Sequence, residues 1–231
     1  MRKIDPVKQE AKRRQIMDAA LACFARKGLH ATSTNDICAE VGMSPGNLFH
    51  YFPSKLALIT TIAEAHRDQM AEHFADMAQQ DDVLAAIEGF ALELMKLSMD
   101  PVDARFSIEL MAEAMGDSDI AKIYLESDRR IKHDLIALLE RGIAKGQIDP
   151  EIQPDVAATW LIALADGTVS RAQLDPDFSV DTHAPVLVRL IHRFLAAAQA
   201  WTHTFRAAAV WRAPSDATAY LSLGKAIGKA T

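Results

Sequence analysis

The stretch VGMSPGNLFHYFPSK, Val41 to Lys55, interrupts a helical sequence with turn residues and then resumes it at once. Gly42 is a suitable C-terminal residue for the helix that precedes it. Ser44 is a good N-cap, and Pro45 suits the first helical position, where no N–H is needed. The stretch therefore predicts two short helices joined by a tight turn, the arrangement of a helix-turn-helix that places its second helix in the major groove of DNA.

Two further helices are expected on either side of this turn. Upstream, the segment from Arg13 to Lys27 carries apolar residues at helical spacing and ends in two basic residues followed by Gly28. Thr34 is the predicted N-cap of the helix that ends at Gly42. Downstream, a fourth helix begins near Lys55, so three short helices come before a longer chain.

The composition favours an all-α fold. Half of the 231 residues are apolar but only 6% are aromatic, and strand signals are almost absent. Breaks at Gly, Pro and Asp residues divide the remaining chain into helices. The predicted segments are 56–79, 82–99, 103–115, 119–145, 154–173 and a last helix from about 184, with an apolar stripe that continues almost to Pro214.

The charge distribution indicates an anionic partner for the N-terminal part alone. Residues 1–60 contain nine Lys and Arg against five Asp and Glu, whereas the remainder contains 16 against 26. No apolar run reaches the roughly 18 residues of a membrane helix, and Asp18 and Arg26 interrupt the apolar N-terminal segment. Two cysteines, Cys23 and Cys38, show no metal or redox spacing. We therefore expect a cytoplasmic protein without a membrane partner.

The run TSTNDICAEVGMSPGNLFHYFPSKLALI, Thr32 to Ile59, resembles the DNA-binding signature of TetR/AcrR-type transcriptional regulators. Phe49 stands where that family often has tyrosine, and Cys38 replaces a usual alanine. Two body segments, Glu109 to Ile120 and Trp160 to Pro176, are similar to the betaine-regulator (BetI-like) subgroup. The resemblance implies a three-helix DNA-binding domain at 1–56 and a larger helical effector-binding and dimerisation domain at 57–200. Regulators of this family usually end near this point, so 201–231 is a C-terminal helical extension that departs from the pattern. Its stripe predicts either an extended dimer interface or a lid, or a helix that simply packs on the body.

These considerations assign residues to DNA contact. The N-terminal end of the third helix is expected to face the bases, the second helix to approach beside it, and the following residues to hold phosphates. The candidate DNA-binding residues are Thr34, Asn35, Ser44, Gly46, Asn47, His50, Tyr51 and Lys55. The expected DNA is a palindromic operator, because a two-fold dimer reads two half-sites.

Two more sets of residues are predicted in the body. A small-molecule effector is expected among the helices from 82 to 173, between apolar walls and a polar selector. The candidate effector-binding residues are Arg105, Phe106, Glu109, Met111, Tyr124, Trp160 and Asp166. The homodimer is expected to form through the last two predicted helices, and its candidate interface residues are Leu161, Leu164, Leu187, Ile191, Phe194 and Leu195.

Three classes of function are compatible with a chain of this length. A homodimeric, ligand-responsive repressor fits best, and a DNA-binding protein whose body senses a protein partner is the alternative. An enzyme is disfavoured because no nucleophile elbow, phosphate loop, zinc spacing or paired-carboxylate motif occurs. His66, Met70 and His73 share a helical face, but no further strong ligand lies nearby in sequence. We therefore expect neither a metal nor a cofactor.

Overall fold

A computed structural model describes residues 5–116 and 118–196 of the chain. Within these ranges the protein folds into nine α-helices, and no strand occurs apart from an isolated antiparallel bridge between Ile148 and Ala196. The prediction of an all-α fold is confirmed. The predicted C-terminal stripe beyond residue 196 and the extension at 201–231 lie outside the described residues.

The helices follow one another with short connections. None of those within the described ranges combines the length and the apolar character that crossing a membrane requires. Their bounds are α1 Pro6–Lys27, α2 Thr34–Val41, α3 Pro45–Tyr51, α4 Lys55–Gln79, α5 Val83–Leu97, α6 Pro101–Glu113, α7 Asp119–Ala144, α8 Pro154–Leu174 and α9 Val180–Leu195.

Two helix starts in the N-terminal part differ from the prediction. α1 begins seven residues before Arg13, because the Asp5 side chain caps the amide of Val7 and Pro6 occupies the first position. α2 is capped by Ser33 rather than Thr34. The Ser33 hydroxyl accepts from the amide of Asp36, whose carboxylate accepts from the Ser33 amide in return. This reciprocal pair is a capping box.

The start of α9 also lies earlier than predicted. Ser179 caps the helix through the amide of Thr182, so α9 begins at Val180 rather than near residue 184. Pro185 lies inside the helix, where its ring removes one backbone hydrogen bond close to the N-terminus. The Ser179 cap therefore sets the start of the helix.

Buried side chains form two cores. The head core joins α1, α2 and α3 to the first half of α4, and it also includes Phe106 and Leu110 from α6. The body core contains residues of α4, α5, α7, α8 and α9, together with Ile148. Because α6 contributes to the head core from a distant part of the sequence, the three-helix head packs directly against the body.

Candidate nucleic-acid interface and ligand cavity

The N-terminal end of α3 is a solvent-facing surface. Ser44, Gly46, Asn47 and His50 are exposed, whereas Leu48 points into the head core. A Cβ atom added to Gly46 would meet nothing within 4 Å. The predictions at Ser44, Gly46 and Asn47 therefore fall on the accessible N-terminal end of the helix, whereas His50 is exposed in its last turn.

The turn before α3 has the geometry that the sequence predicted. Gly42 ends α2 in the left-handed conformation, with φ 68° and ψ 43°. Ser44 then caps α3, and its hydroxyl accepts from the amide of Asn47 at 3.4 Å. On α2, Asn35 is exposed and Thr34 is half-buried. The two helices thus present short polar side chains to solvent on either side of the turn.

The C-terminal end of α3 is held to α1. Arg13 donates to the carbonyl of Tyr51 at 3.0 Å, and its guanidinium lies 4.5 Å from the centre of the Phe52 ring. Such a stacked cation stabilises the contact beyond a simple hydrogen bond. Tyr51 is half-buried and contacts the His50 ring edge-on at 5.6 Å. α3 is therefore fixed at the end opposite its exposed N-terminus.

Lys55 occupies a different position from the predicted phosphate contact. Its ammonium donates to the carbonyls of Leu29 and Thr32 at 2.9 Å and to that of His30 at 3.3 Å. Three acceptors match the three N–H groups of a lysine. The prediction is therefore corrected, because Lys55 ties the loop between α1 and α2 to the start of α4.

The body contains a cavity of about 410 Å³ that is partly open to solvent. This volume lies in the range of roughly 300–1,000 Å³ that is common for small-molecule sites. Its wall is mostly apolar and comes from α4 to α9, including Phe74, Phe90 and Met95. Phe74 and Phe90 pack against each other with ring centres 5.3 Å apart. The cavity thus extends beyond the predicted range of 82–173 into α4 and α9.

A polar group of Tyr124, Asp128 and Asp166 lines the same cavity. Burial, and then the charge of Asp128, raises the pKa of the Asp166 carboxyl. Burial together with Asp166 and Asp128 raises the pKa of Tyr124 to about 12, so its phenol is protonated at neutral pH. His66 also lines the cavity, and burial lowers its pKa against the opposing effect of Asp103.

Three of the seven predicted effector residues line the cavity, namely Met111, Tyr124 and Asp166. Trp160 does not, because its side chain is 65% exposed on the outer face of α8. Phe106 is fully buried in the head core. Arg105 and Glu109 face the head instead of the cavity. The other four residues therefore lie outside the cavity lining, and their prediction as effector contacts is corrected.

The face of α6 that points away from the cavity is hydrogen-bonded to the head. The Glu109 carboxylate accepts from the amide of Leu29 at 3.0 Å, and Glu113 contacts His30 at 2.5 Å. Arg105 reaches the carbonyl of Ala25 at 3.4 Å. These contacts attach α6 to the end of α1 and to the loop that follows it.

An aromatic contact lies beneath these hydrogen bonds. Phe24 and Phe106 stack with ring centres 6.0 Å apart, and both are fully buried. Gly28 lies directly against Glu109, since an added Cβ would lie 3.2 Å from its Oε2 atom. Gly28 also has φ 81°, which disfavours any other residue. The backbone of the loop can therefore approach α6 closely.

The other face of α6 belongs to the cavity. Asp103, Ser107 and Met111 recur at intervals of four residues, and all three line the cavity. Arg105 and Glu109 recur at the same interval on the side that contacts the head. Sequence reasoning placed Arg105, Glu109 and Met111 in a single set, although they belong to two interleaved periods. It also missed Asp103 and Asp128, for which the only signal was their place on amphipathic helices.

Most of the predicted dimer residues are buried within one chain. Leu187, Ile191 and Leu195 belong to the body core, as does Leu161. Leu164 is half-buried and lines the cavity. Only Phe194 of the predicted set is exposed. The prediction is corrected in its helical phase, because the apolar stripe of α9 that it named faces inwards.

A second apolar row lies on the outer face of α9. Val186, Leu190 and Phe194 recur every four residues and are each at least 42% exposed. On α8, Val156 and Trp160 are also exposed at the same spacing. Exposed apolar rows of this kind are typical of interaction surfaces on proteins.

Family comparisons cover both parts of the chain. Residues 16–62 match the family described as "Bacterial regulatory proteins, tetR family". Residues 85–200 match the family described as "BetI-type transcriptional repressor, C-terminal". The first match spans the turn and both of its helices, and the second spans the cavity-forming body from α5 onwards.

Individual relatives agree with these matches. The HTH-type transcriptional regulator UidR of Escherichia coli K12 is 26% identical over 152 residues, covering 64% of this chain and 76% of UidR. The structure of Salmonella enterica GusR is similar with a TM-score of 0.69 and 27% identity, covering 84% of this chain and 99% of GusR. A transcriptional regulator from Saccharomonospora viridis in complex with choline aligns with a TM-score of 0.69 and 20% identity, covering 82% and 100%. The last comparison concerns the fold alone.

Replacing Lys55 with methionine should destabilise the head. Three carbonyl oxygens lose their charged donor, so the free energy of unfolding should fall by about 1–3 kcal/mol in urea denaturation. Lys122→Met is the matched control, because Lys122 forms only an exposed pair with Asp119 and should change stability by less than about 1 kcal/mol. Equal stabilities of the two variants would contradict the structural role of Lys55.

Proposed function

The chain belongs to the TetR family of bacterial regulatory proteins, and from this premise we propose that it is a homodimeric repressor that a small molecule releases from its DNA operator. In this proposal α3 lies in the major groove, the cavity holds the effector, and the outer rows of α8 and α9 form the dimer. Each part rests on a separate feature of the described residues. The connection between cavity and head supports the proposal most strongly.

That connection is α6, which contacts the cavity with one face and the head with the other. A ligand that fills the cavity presses on Ser107 and Met111. Because α6 is a rigid helix, the displacement reaches Glu109 and changes the position of the loop that begins at Gly28. The ligand lowers operator affinity only to the extent that it prefers one of the two positions of the head.

The cavity also favours a small molecule over a protein as the signal. A protein partner would need an exposed surface, whereas the cavity wall is built largely from residues inside the body. Its apolar wall with a few polar groups is the usual composition of a small-ligand site. Choline is the ligand of the Saccharomonospora viridis protein, which shares the fold.

A direct test begins with selection of an operator from a random DNA pool by the full chain. Compounds are then screened for loss of operator affinity by fluorescence anisotropy. A compound that weakens operator binding by roughly 5- to 150-fold, and that binds with a stoichiometry of one molecule per protein chain, supports the proposal. If the protein selects no DNA sequence, the repressor function is wrong.

Asn47→Ala should reduce affinity for the selected operator by about 1–3 kcal/mol. Asn47 is exposed at the N-terminal end of α3, and an amide side chain can form two hydrogen bonds with an adenine edge. Binding to a scrambled sequence should change much less, because the phosphate contacts remain. Gln79→Ala removes an exposed amide far along the chain and serves as the control. An equal loss on both DNAs would contradict base recognition by Asn47.

Glu109→Ala should uncouple the cavity from the head. The variant removes the acceptor of the Leu29 amide but leaves the cavity lining intact. Calorimetry should therefore show unchanged compound binding, while anisotropy shows that the same compound no longer weakens operator binding. Glu126→Ala, which removes an exposed carboxylate from α7, should retain full release. Undiminished release by Glu109→Ala would exclude this route of coupling.

Leu190→Asp should dissociate the dimer. Leu190 is the middle residue of the outer row of α9 and is 52% exposed in the single chain. A charge at the centre of an apolar interface is strongly unfavourable. Sedimentation at micromolar concentration should show a monomer with weakened operator affinity. Leu125→Asp alters an exposed leucine on α7 and should remain dimeric, and a dimeric Leu190→Asp protein would place the interface elsewhere.

A further inference from the structure

The charged groups of the cavity are predominantly acidic. Within the described residues, its lining includes the carboxyl groups of Asp103, Asp128 and Asp166, but Arg67 is its only lysine or arginine. The Arg67 guanidinium lies 3.5 Å from the carboxylate of Asp68. None of the ion pairs among the described residues involves the three cavity carboxyls.

We propose that the effector is an amphiphilic organic cation, with its positive group beside Asp166 and Asp128 and an apolar body along the wall of the cavity. This inference rests on the proposed function, since it names the ligand class of the same cavity. It does not follow from acidic residues alone. Because a cavity of about 410 Å³ has a mostly apolar wall, most of the ligand that fills it must also be apolar.

The polar end of the cavity suits an ammonium group. After burial, the charge of Asp128 raises the pKa of the Asp166 carboxyl, and a cation placed beside the two would offset this repulsion. Tyr124 lines the cavity with them, and its phenol is uncharged at neutral pH. This group thus offers two carboxyl groups and an uncharged hydroxyl.

An anionic ligand meets the opposite conditions. Its charge would be repelled by the carboxylates, and Arg67, the one lysine or arginine among the described lining residues, already has Asp68 as a partner. His66 cannot readily compensate, because burial lowers its pKa and disfavours the imidazolium. Burying a charged ligand group without a compensating charge costs free energy. The cavity therefore favours ligands with a positive charge.

The apolar part of the cavity determines the chemistry of the uncharged part of the ligand. Phe74 and Phe90 form one part of the wall, and Met70, Met95 and Met111 also line it. Methionine side chains adapt to flexible apolar chains. A ligand with only a small charged head would leave this wall without contacts. We therefore infer an alkyl or aryl body attached to the cationic group.

Three probes of equal chain length test the inference by calorimetry with the full-length protein. Decyltrimethylammonium, decanol and decanoate carry a positive, neutral and negative head, and each is used below its aggregation concentration. Decyltrimethylammonium should bind at least about 10-fold more tightly than decanoate. Equal or tighter binding of decanoate, or no binding of any probe, overturns the inference.

Charge-neutralising variants assign the selectivity to the cavity carboxyls. Asp166→Asn should weaken decyltrimethylammonium binding about 10-fold and leave decanol binding unchanged. Asp128→Asn should act in the same direction, which provides a second variant if the first is poorly folded. Asp177→Asn removes an exposed carboxylate outside the cavity and should leave all three affinities unchanged. A parallel loss of decanol affinity would indicate altered packing and would overturn the charge assignment.

Operator binding separates the two proposals. If decanol or decanoate releases the selected operator while the cation does not bind, the repressor function stands and the ligand class is wrong. If the cation binds through Asp166 but leaves operator affinity unchanged, the ligand class stands and effector release is wrong. Selective binding together with operator release supports both.

Discussion

The hydrogen bond from the Leu29 amide to the Glu109 carboxylate is the constraint on which the relation of head and body depends. It exists because Gly28 has no side chain to separate the loop from α6. On the opposite side of the loop, Lys55 holds the carbonyl of the same Leu29. The loop between α1 and α2 is thus bound from α6 and from α4 at one residue. Both helices continue into the body and line its cavity.

The same chain separates two electrostatic tasks. The N-terminal part carries the excess of basic residues, as a partner of the DNA backbone requires. The body carries the acidic excess, part of which lines the cavity as Asp103, Asp128 and Asp166. These carboxyls lie in a partly buried setting, where charge is discriminated more strongly than at the surface. Acidity in the body therefore contributes to ligand selection in our proposal.

Local signals in the sequence predicted the fold well. The order of Gly42, Ser44 and Pro45 specifies the turn, because each residue acts on its own backbone or on an amide within three positions. The all-α class followed from composition and from the spacing of the breaks. The Ser33 cap was missed because Ser33 and Thr34 are chemically equivalent as caps, and only the capping box with Asp36 distinguishes them.

Predictions that required tertiary contacts were less successful. Lys55 is a basic residue beside a DNA-binding motif, but its position is set by three carbonyls more than twenty residues away in sequence. Trp160 looked like a cavity wall, yet the phase of α8 places it outside. On α9 the apolar stripe is two residues wide, so periodicity could not tell which of its two rows faces the core. Helical spacing identifies a face, and packing decides what the face contacts.

The most direct test of the account is the hydrogen exchange of the Leu29 amide, measured by NMR with and without a compound that fills the cavity. The Val83 amide is the internal reference, because it also donates to a side-chain oxygen, that of Gln147, but lies outside the head. If α6 transmits the signal, the compound changes Leu29 protection by at least about 5-fold relative to Val83. Release of the operator with Leu29 protection unchanged relative to Val83 would contradict the account.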